Sequence, residues 1–142
     1  MQKKNQFCCA VIHAGIHNLP SFTLETDLIQ DPSFSWQPFP AVDRSELEAW
    51  NPSRPDRLRN WAKNAPPTLL SHAARDYRVP VTQSVAAFKV LQSSLVPSRF
   101  VYFDDDDHML AKRENIRFWV EEAADWVRRC VDGEIRRGNA EW

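Results

Sequence analysis

The 142-residue sequence contains only three glycines, at positions 15, 133 and 138. None of them begins a Gly-x-Ser triplet, so the sequence contains no Gly-x-Ser-x-Gly turn of the kind that presents a serine nucleophile. No apolar run approaches the ~20 residues of a membrane-spanning helix. The N-terminus is basic, but the apolar run after it has only about six residues, and His13 interrupts it, which does not indicate a signal peptide.

Cysteine is also scarce, and charge of one sign is not in excess. Cys8, Cys9 and Cys130 have no zinc-site spacing, and we interpret them as small core residues. The net charge of −1 gives no electrostatic footprint for nucleic acid. We therefore expect no metal, no cofactor, and neither a nucleic-acid nor a membrane partner. The cysteines do not indicate a compartment, so the localisation is left unknown.

The length of 142 residues fits one small domain, and a hydrophobic fraction of 43% is ordinary for a globular core. Buried strands are predicted near residues 8–13, 67–72 and 99–103, where short apolar runs are bounded by turn residues. Helices are predicted after the second and third strands, the last at about residues 113–131, and Thr82 is the predicted cap of the first. The first helix is expected to have a mostly apolar face formed by Val85, Ala86, Phe88, Val90 and Leu91, and the last a wide stripe formed by Ile116, Trp119, Val120, Ala123, Trp126 and Val127. Residues 18–43 hold four prolines and form a long excursion. The order predicts an α/β fold with three parallel strands and flanking helices.

An acid follows the second strand and a histidine follows the third. Parallel strands end at one edge of a sheet, so Asp76 and His108 are expected there at hydrogen-bond distance, ~2.6–3.2 Å. A carboxylate that orients an imidazole makes up two thirds of a Ser-His-Asp triad, and in α/β-hydrolases the acid precedes the histidine. Taken alone, Asp76 also fits a turn-capping residue.

Several other polar residues favour structural roles. His108 also fits a surface histidine in an acidic loop, and residues 104–107 fit a solvated loop better than a cation site, because four consecutive acids point in different directions. Arg78 is expected to pair with a carboxylate. His13, His17 and His72 are interpreted as core or loop histidines.

Five segments together resemble the prolyl oligopeptidase family of serine peptidases. They read RDYRVP at residues 75–80, VPSRFVYF at 96–103, KREN at 112–115, WNPSR at 50–54 and AVIHAGI at 10–16. Within the family the similarity is greatest to the branch of fungal dipeptidyl-peptidase V and the acylaminoacyl-peptidases. A glycine often precedes the VPSR segment, where this chain has Leu95.

The resemblance implies the C-terminal half of an α/β-hydrolase fold over residues 1–133, followed by a frayed tail at 134–142. It implies that Asp76 is the triad acid and His108 the triad histidine of a serine exopeptidase that hydrolyses peptide bonds. Because the chain starts almost inside a strand and lacks the nucleophile turn, it is expected to be a piece of such an enzyme and inactive alone. The alternative is a non-catalytic relic or pseudoenzyme with at most a binding role.

Overall fold

The computed structural model describes residues 7–30 and 44–137, and these form a three-stranded parallel sheet with helices on both faces. The strands are β1 (Ala10–His13), β2 (Thr68–Ala73) and β3 (Ser98–Phe103), in spatial order β1-β2-β3. The helices are α1 (Leu19–Glu25), α2 (Arg44–Trp50), α3 (Pro55–Asn64), α4 (Thr82–Ser93) and α5 (Arg113–Val131), with a 3-10 turn at Asp27–Gln30. The predicted fold class and all three strands are confirmed.

The central strand β2 fixes the register of the sheet. All six of its residues are buried, and Thr68 lies opposite both Ala10 of β1 and Ser98 of β3. Burial on both faces explains why this strand reads as a short apolar run without alternation. The parallel register also places the C-terminal ends of all three strands at one edge.

Two hydrophobic clusters cover the two faces of the sheet. Leu69 points to one face, where Trp126 and Cys130 of α5 cover it. Leu70 points to the opposite face and packs against Ala87 and Leu91 of α4. Burying a leucine of this kind stabilises the fold by about 1.5–3 kcal/mol. Because successive residues of β2 alternate between the faces, the same alternation continues into Ser71 and His72.

The helix faces differ in part from the sequence prediction. Val85 of α4 was expected on the apolar face but is exposed, whereas Gln83 and Ser84 are buried. The predicted stripe of α5 is split: Trp119, Ala123 and Trp126 face the core, while its other members, Ile116, Val120 and Val127, are exposed. Apolar content alone did not reveal which side of each helix faces the sheet, since polar groups of α4 find buried hydrogen-bond partners.

Two smaller predictions need correction. Thr82 does not cap α4: it is the first helical residue, and its hydroxyl donates to Glu25 Oε2 at 2.7 Å. Cys8 is exposed rather than buried, while Cys130 lies in the core as predicted. Arg137, within the predicted tail, donates to the carbonyls of Ala62 and Ala65.

Some predictions fall outside the described residues. They concern the last five residues of the chain and residues 31–43 of the excursion, including Trp36. Phe22, at the start of the excursion, packs with Leu19, Leu47 and Val79 in a third cluster. Within the part of the chain that is described, no helix is both long and apolar enough to cross a bilayer.

Candidate active site

The candidate site is built from two loops at the C-terminal edge of the sheet. Residues 74–81 join β2 to α4, and residues 104–112 join β3 to α5. Two backbone hydrogen bonds tie the loops together: Ala74 N donates to Phe103 O at 2.7 Å, and Arg75 N donates to Asp106 O at 3.0 Å. The side chains that each loop carries are therefore held at a fixed separation.

Asp76 and His108 meet between these loops. His108 Nδ1 lies 2.9 Å from Asp76 Oδ2, within the range predicted from the strand ends. The carboxylate side chain is fully buried, whereas the imidazole is 36% exposed. A carboxylate accepts only, so the proton of this hydrogen bond lies on Nδ1, and Nε2 is left free to act as a base when the ring is neutral. Within residues 7–30 and 44–137, Nε2 of His108 makes no hydrogen bond.

The buried carboxylate of Asp76 has two further contacts. Its Oδ1 accepts from Val79 N at 2.8 Å, which closes the tight turn after β2. Its Oδ2 also lies 3.1 Å from Nε2 of His72, four residues earlier on β2. Asp76 thus does cap a turn, as its simplest interpretation suggested, and it meets His108 at the same time. Capping and contact with the histidine use different oxygens, so the two roles are compatible.

Asp106 organises the loop that carries His108. Its carboxylate accepts from the backbone amides of Asp107, Ala111 and Lys112 and from Nδ2 of Asn115, at 3.0–3.2 Å. Burial raises the pKa of Asp106, but these hydrogen bonds outweigh burial and lower the pKa to about 2. The expectation of a merely solvated acidic loop is therefore wrong for Asp106, which is 4% exposed.

The other acids of the loop behave differently. Asp105 forms an ion pair with Lys112 and accepts from Asn115 Nδ2, and the hydrogen bond from Lys112 is the main reason that the pKa of Asp105 is lowered. Asp104 and Asp107 are exposed. Across the described ranges, no group of three or more His, Cys, Asp or Glu side chains is arranged to hold a metal ion.

Arg78 pairs with a carboxylate, as predicted. Its Nε donates to Asp27 Oδ1 at 2.8 Å, and both side chains are about half exposed. Two further hydrogen bonds connect the same two segments: Asp27 N donates to Tyr77 O, and the hydroxyl of Thr26 donates to Arg78 O. The turn that carries Asp76 is thereby attached to the segment after α1.

His13 and His17 have structural roles, as predicted. His13 stands at the end of β1, with Nδ1 2.7 Å from Ser71 Oγ and Nε2 3.2 Å from the backbone oxygen of His108. His17 is buried against Trp61, and burial lowers the pKa of His17. His72 is fully buried as well, but its contact with Asp76 was not anticipated.

An open depression of about 610 Å³ lies beside His108. Residues of both loops line it, together with Asp27 from the segment after α1. The lining residues are Asp27, Arg75, Tyr77, Arg78, Asp105, Asp106, Asp107, His108, Met109, Ala111 and Lys112. Tyr77 and Met109 are 70% and 74% exposed and offer apolar surface within an otherwise charged rim. A ligand in this depression would lie against the exposed imidazole.

The sequence held a usable signal for each of the two histidine contacts that were missed. His72 precedes Asp76 by four residues, and the turn between them reverses the chain, so the histidine side chain can reach the carboxylate. For His13 the signal was its position at the end of β1, next to the end of β2. Both were interpreted as core or loop histidines; His72 is fully buried and His13 is partly buried. Their hydrogen-bond partners depend on tertiary contacts that the sequence did not specify.

Comparison with known proteins shows what the chain is similar to. The sequence model of the prolyl oligopeptidase family matches residues 1–134. Dipeptidyl-peptidase 5 of Aspergillus fumigatus is 36% identical over 97 residues, which cover 68% of this chain and 13% of the relative. Dipeptidyl-peptidase 5 of Schizosaccharomyces pombe is 32% identical over 122 residues, covering 86% of this chain and 17% of the relative.

A solved structure gives the same result in three dimensions. The puromycin-hydrolyzing peptidase of Mycobacterium tuberculosis superimposes with a TM-score of 0.65 at 27% identity, covering 84% of this chain and 18% of that one. The present chain thus spans less than a fifth of the length of these relatives. The family match over residues 1–134 includes both loops of the candidate site.

Proposed function

The chain belongs to the prolyl oligopeptidase family of serine peptidases, and from that premise we propose that it supplies the acid and the histidine of a serine exopeptidase site. Asp76 is the acid and His108 the general base. The hydrogen bond of 2.9 Å between Asp76 Oδ2 and His108 Nδ1 carries this proposal, together with the unoccupied Nε2 on the exposed side of the ring.

The proposed chemistry is acyl transfer in two steps. A serine hydroxyl gives its proton to Nε2 of His108 while its oxygen attacks the scissile carbonyl, and the resulting imidazolium then protonates the leaving amine. A water molecule repeats the cycle on the acyl-enzyme ester and releases the acid product. Asp76 keeps the proton of the neutral ring on Nδ1 and stabilises the imidazolium.

The serine must come from sequence other than these 142 residues, since no Gly-x-Ser motif occurs in them. Serines of the chain that contact histidines do not qualify. Ser71 bonds to His13, and Ser84 bonds to His72, and both hydroxyls are buried. Neither contacts His108. The names of the relatives suggest dipeptidyl substrates for the complete site, and we propose the same class here.

A second candidate is a non-catalytic role, in which the chain at most binds a partner. The missing nucleophile motif favours this reading. The two candidates differ in one respect that can be measured, because only the first requires His108 to activate a serine once a serine is present.

The test is a chimera. In Aspergillus fumigatus dipeptidyl-peptidase 5, the segment that matches this chain is replaced by the corresponding residues of this chain. We expect labelling by a fluorophosphonate probe and cleavage of a chromogenic dipeptidyl substrate, both abolished by His108→Ala and both retained in the control Asp104→Ala, an exposed loop residue outside the depression. The 142-residue chain alone should not be labelled. A chimera that folds cooperatively but is neither labelled nor active would support the non-catalytic role.

A further inference from the structure

We infer that His72 is a positioning residue for the acid of the proposed site. Its Nε2 lies 2.6 Å from Val79 O and 3.1 Å from Asp76 Oδ2, and its Nδ1 lies 2.7 Å from Ser84 Oγ. The inference rests on the proposed function only in so far as the positioning of Asp76 serves catalysis. The arrangement of the hydrogen bonds can be tested without any activity.

The partners of His72 determine its tautomer. A backbone carbonyl can only accept, so the short contact with Val79 O requires a proton on Nε2. Burial is the largest influence on His72 and lowers its pKa, which favours the neutral ring. In a neutral ring with Nε2–H, Nδ1 is an acceptor, and the hydroxyl of Ser84 donates to it. The hydrogen bonds therefore run in one direction, from the Ser84 hydroxyl to Nδ1 of His72 and from Nε2 of His72 to the turn that holds Asp76.

The hydrogen bond from Nε2 goes to Val79 O, and Asp76 Oδ2 lies 3.1 Å from the same nitrogen as a close polar contact. The same residue, Val79, also donates its backbone N–H to Asp76 Oδ1. His72 therefore holds the turn residue that binds one carboxylate oxygen, and its buried ring packs against the other oxygen. Rotation of the carboxylate would break at least one of these contacts.

This restraint matters because His108 cannot provide it. The imidazole of His108 is 36% exposed and sits on a loop, whereas the ring of His72 is fully buried on the central strand. Ser84, its partner on α4, is 1% exposed. We conclude that the carboxylate is positioned from the sheet and α4, and that His108 aligns to a carboxylate already in place. His72 has no access to the depression, so it acts only through Asp76.

The primary test is nitrogen-15 NMR of the imidazoles in the 142-residue chain at neutral pH. We expect His72 to show a protonated Nε2 and an unprotonated Nδ1, and we expect a downfield proton resonance from Nδ1–H of His108 in contact with Asp76. A His72 ring with the proton on Nδ1, or with protons on both nitrogens, would overturn the proposal. This measurement needs no variant and no enzyme activity.

Two variants then separate positioning from simple packing. His72→Leu removes the donor and keeps an apolar side chain, and it should weaken or broaden the His108 Nδ1–H resonance. His72→Gln can place an amide N–H where Nε2 stood, and it should restore that resonance. If the resonance is unchanged in His72→Leu, the proposal is refuted. If His72→Leu does not fold, loss of the resonance in a folded His72→Gln variant would refute it equally.

The same variants in the chimera give a kinetic readout. His72→Leu should lower kcat by at least tenfold and leave KM within about twofold of the parent, because His72 affects the alignment of Asp76 and His108 and not the binding of substrate. His72→Gln should recover most of the lost kcat. Equal kcat values in all three proteins would contradict a positioning role. Should the chimera be inactive, the proposed function fails, while the NMR result still decides the role of His72 toward Asp76.

Discussion

Replacing Asp106 by alanine should destabilise the chain far more than replacing any other acid of the loop. The Asp106 carboxylate is buried and accepts four hydrogen bonds, from Asp107 N, Ala111 N, Lys112 N and Asn115 Nδ2. It also places a negative charge beside the N-terminus of α5, where the helix dipole favours an anion. No other acid in the run combines burial with so many donors.

The magnitude follows from those contacts. A hydrogen bond to a charged group contributes about 1.5–3 kcal/mol, but the four share one carboxylate and are not additive, and water can replace it at some donors. We therefore expect Asp106→Ala to lower the free energy of unfolding by about 3 kcal/mol. The matched control is Asp104→Ala, an exposed acid two residues earlier, which should change it by less than about 0.5 kcal/mol.

The assay is urea denaturation of both variants and the parent chain as a function of pH. The folded-state pKa of Asp106 is about 2, below its ordinary value of 3.8, so its contribution should be complete above about pH 4 and should disappear as pH falls through about 2. The difference between parent and Asp106→Ala should shrink over that window. A loss within 1 kcal/mol of the Asp104→Ala value at neutral pH would refute the reasoning.

Three further predictions concern strain, buried polar groups and protonation. Leu95→Gly should stabilise the chain by about 1 kcal/mol in thermal or urea unfolding, because Leu95 has a φ of +52°, a conformation that costs a residue with a side chain ~1–2 kcal/mol. A lower free energy of unfolding in the variant would contradict this. Gln83→Leu should lower the free energy of unfolding in urea by about 2–4 kcal/mol, because the backbone N–H groups of His17 and Asn18 lose their acceptor. A decrease below about 1 kcal/mol would argue against this role of Gln83. Burial lowers the pKa values of His72 and His17 in the folded chain, so the unfolded chain takes up protons at a higher pH than the folded chain does. The free energy of unfolding should therefore fall as pH drops below about 6.5, and a free energy that stays constant from pH 7 to 5 would disprove this.

The strand framework followed from the sequence because parallel strands are buried on both faces. Each of the three apolar runs became a strand within two residues of the predicted limits, and the rule that sites lie at the C-terminal edge brought Asp76 and His108 together. These predictions depend on backbone periodicity and topology, which local sequence records well.

The helix faces were harder because their orientation depends on polar partners. Gln83 is buried since its side chain accepts from two backbone amides after β1, and Ser84 is buried since it donates to His72. The two amides lie 66 and 65 residues from Gln83, whereas His72 lies 12 residues from Ser84 on the preceding strand. A residue that looks suited to the surface can be interior when a distant strand supplies its hydrogen bonds.

The acidic loop illustrates the same limit. Four consecutive aspartates have equal local character, and nothing in the run distinguishes Asp106 from Asp104. The distinction arises from the tertiary contact of the two loops, where Asp106 O accepts from Arg75 N and the carboxylate turns toward the start of α5. Similarly, the resemblance led us to expect a glycine where Leu95 stands, and Leu95 has a positive φ, a conformation that favours glycine.

The most direct test of the central claim is kcat of the chimera carrying Asp76→Asn. An amide can donate toward Nδ1 of His108, which forces the proton onto Nε2 and removes the base that the serine needs. We expect kcat to fall by about 10⁴-fold, with a thermal midpoint close to that of the parent chimera, and we expect Asp104→Asn to leave kcat unchanged. A folded Asp76→Asn chimera whose kcat lies within tenfold of the parent would contradict the assignment of Asp76 and His108 as the acid and base of this site.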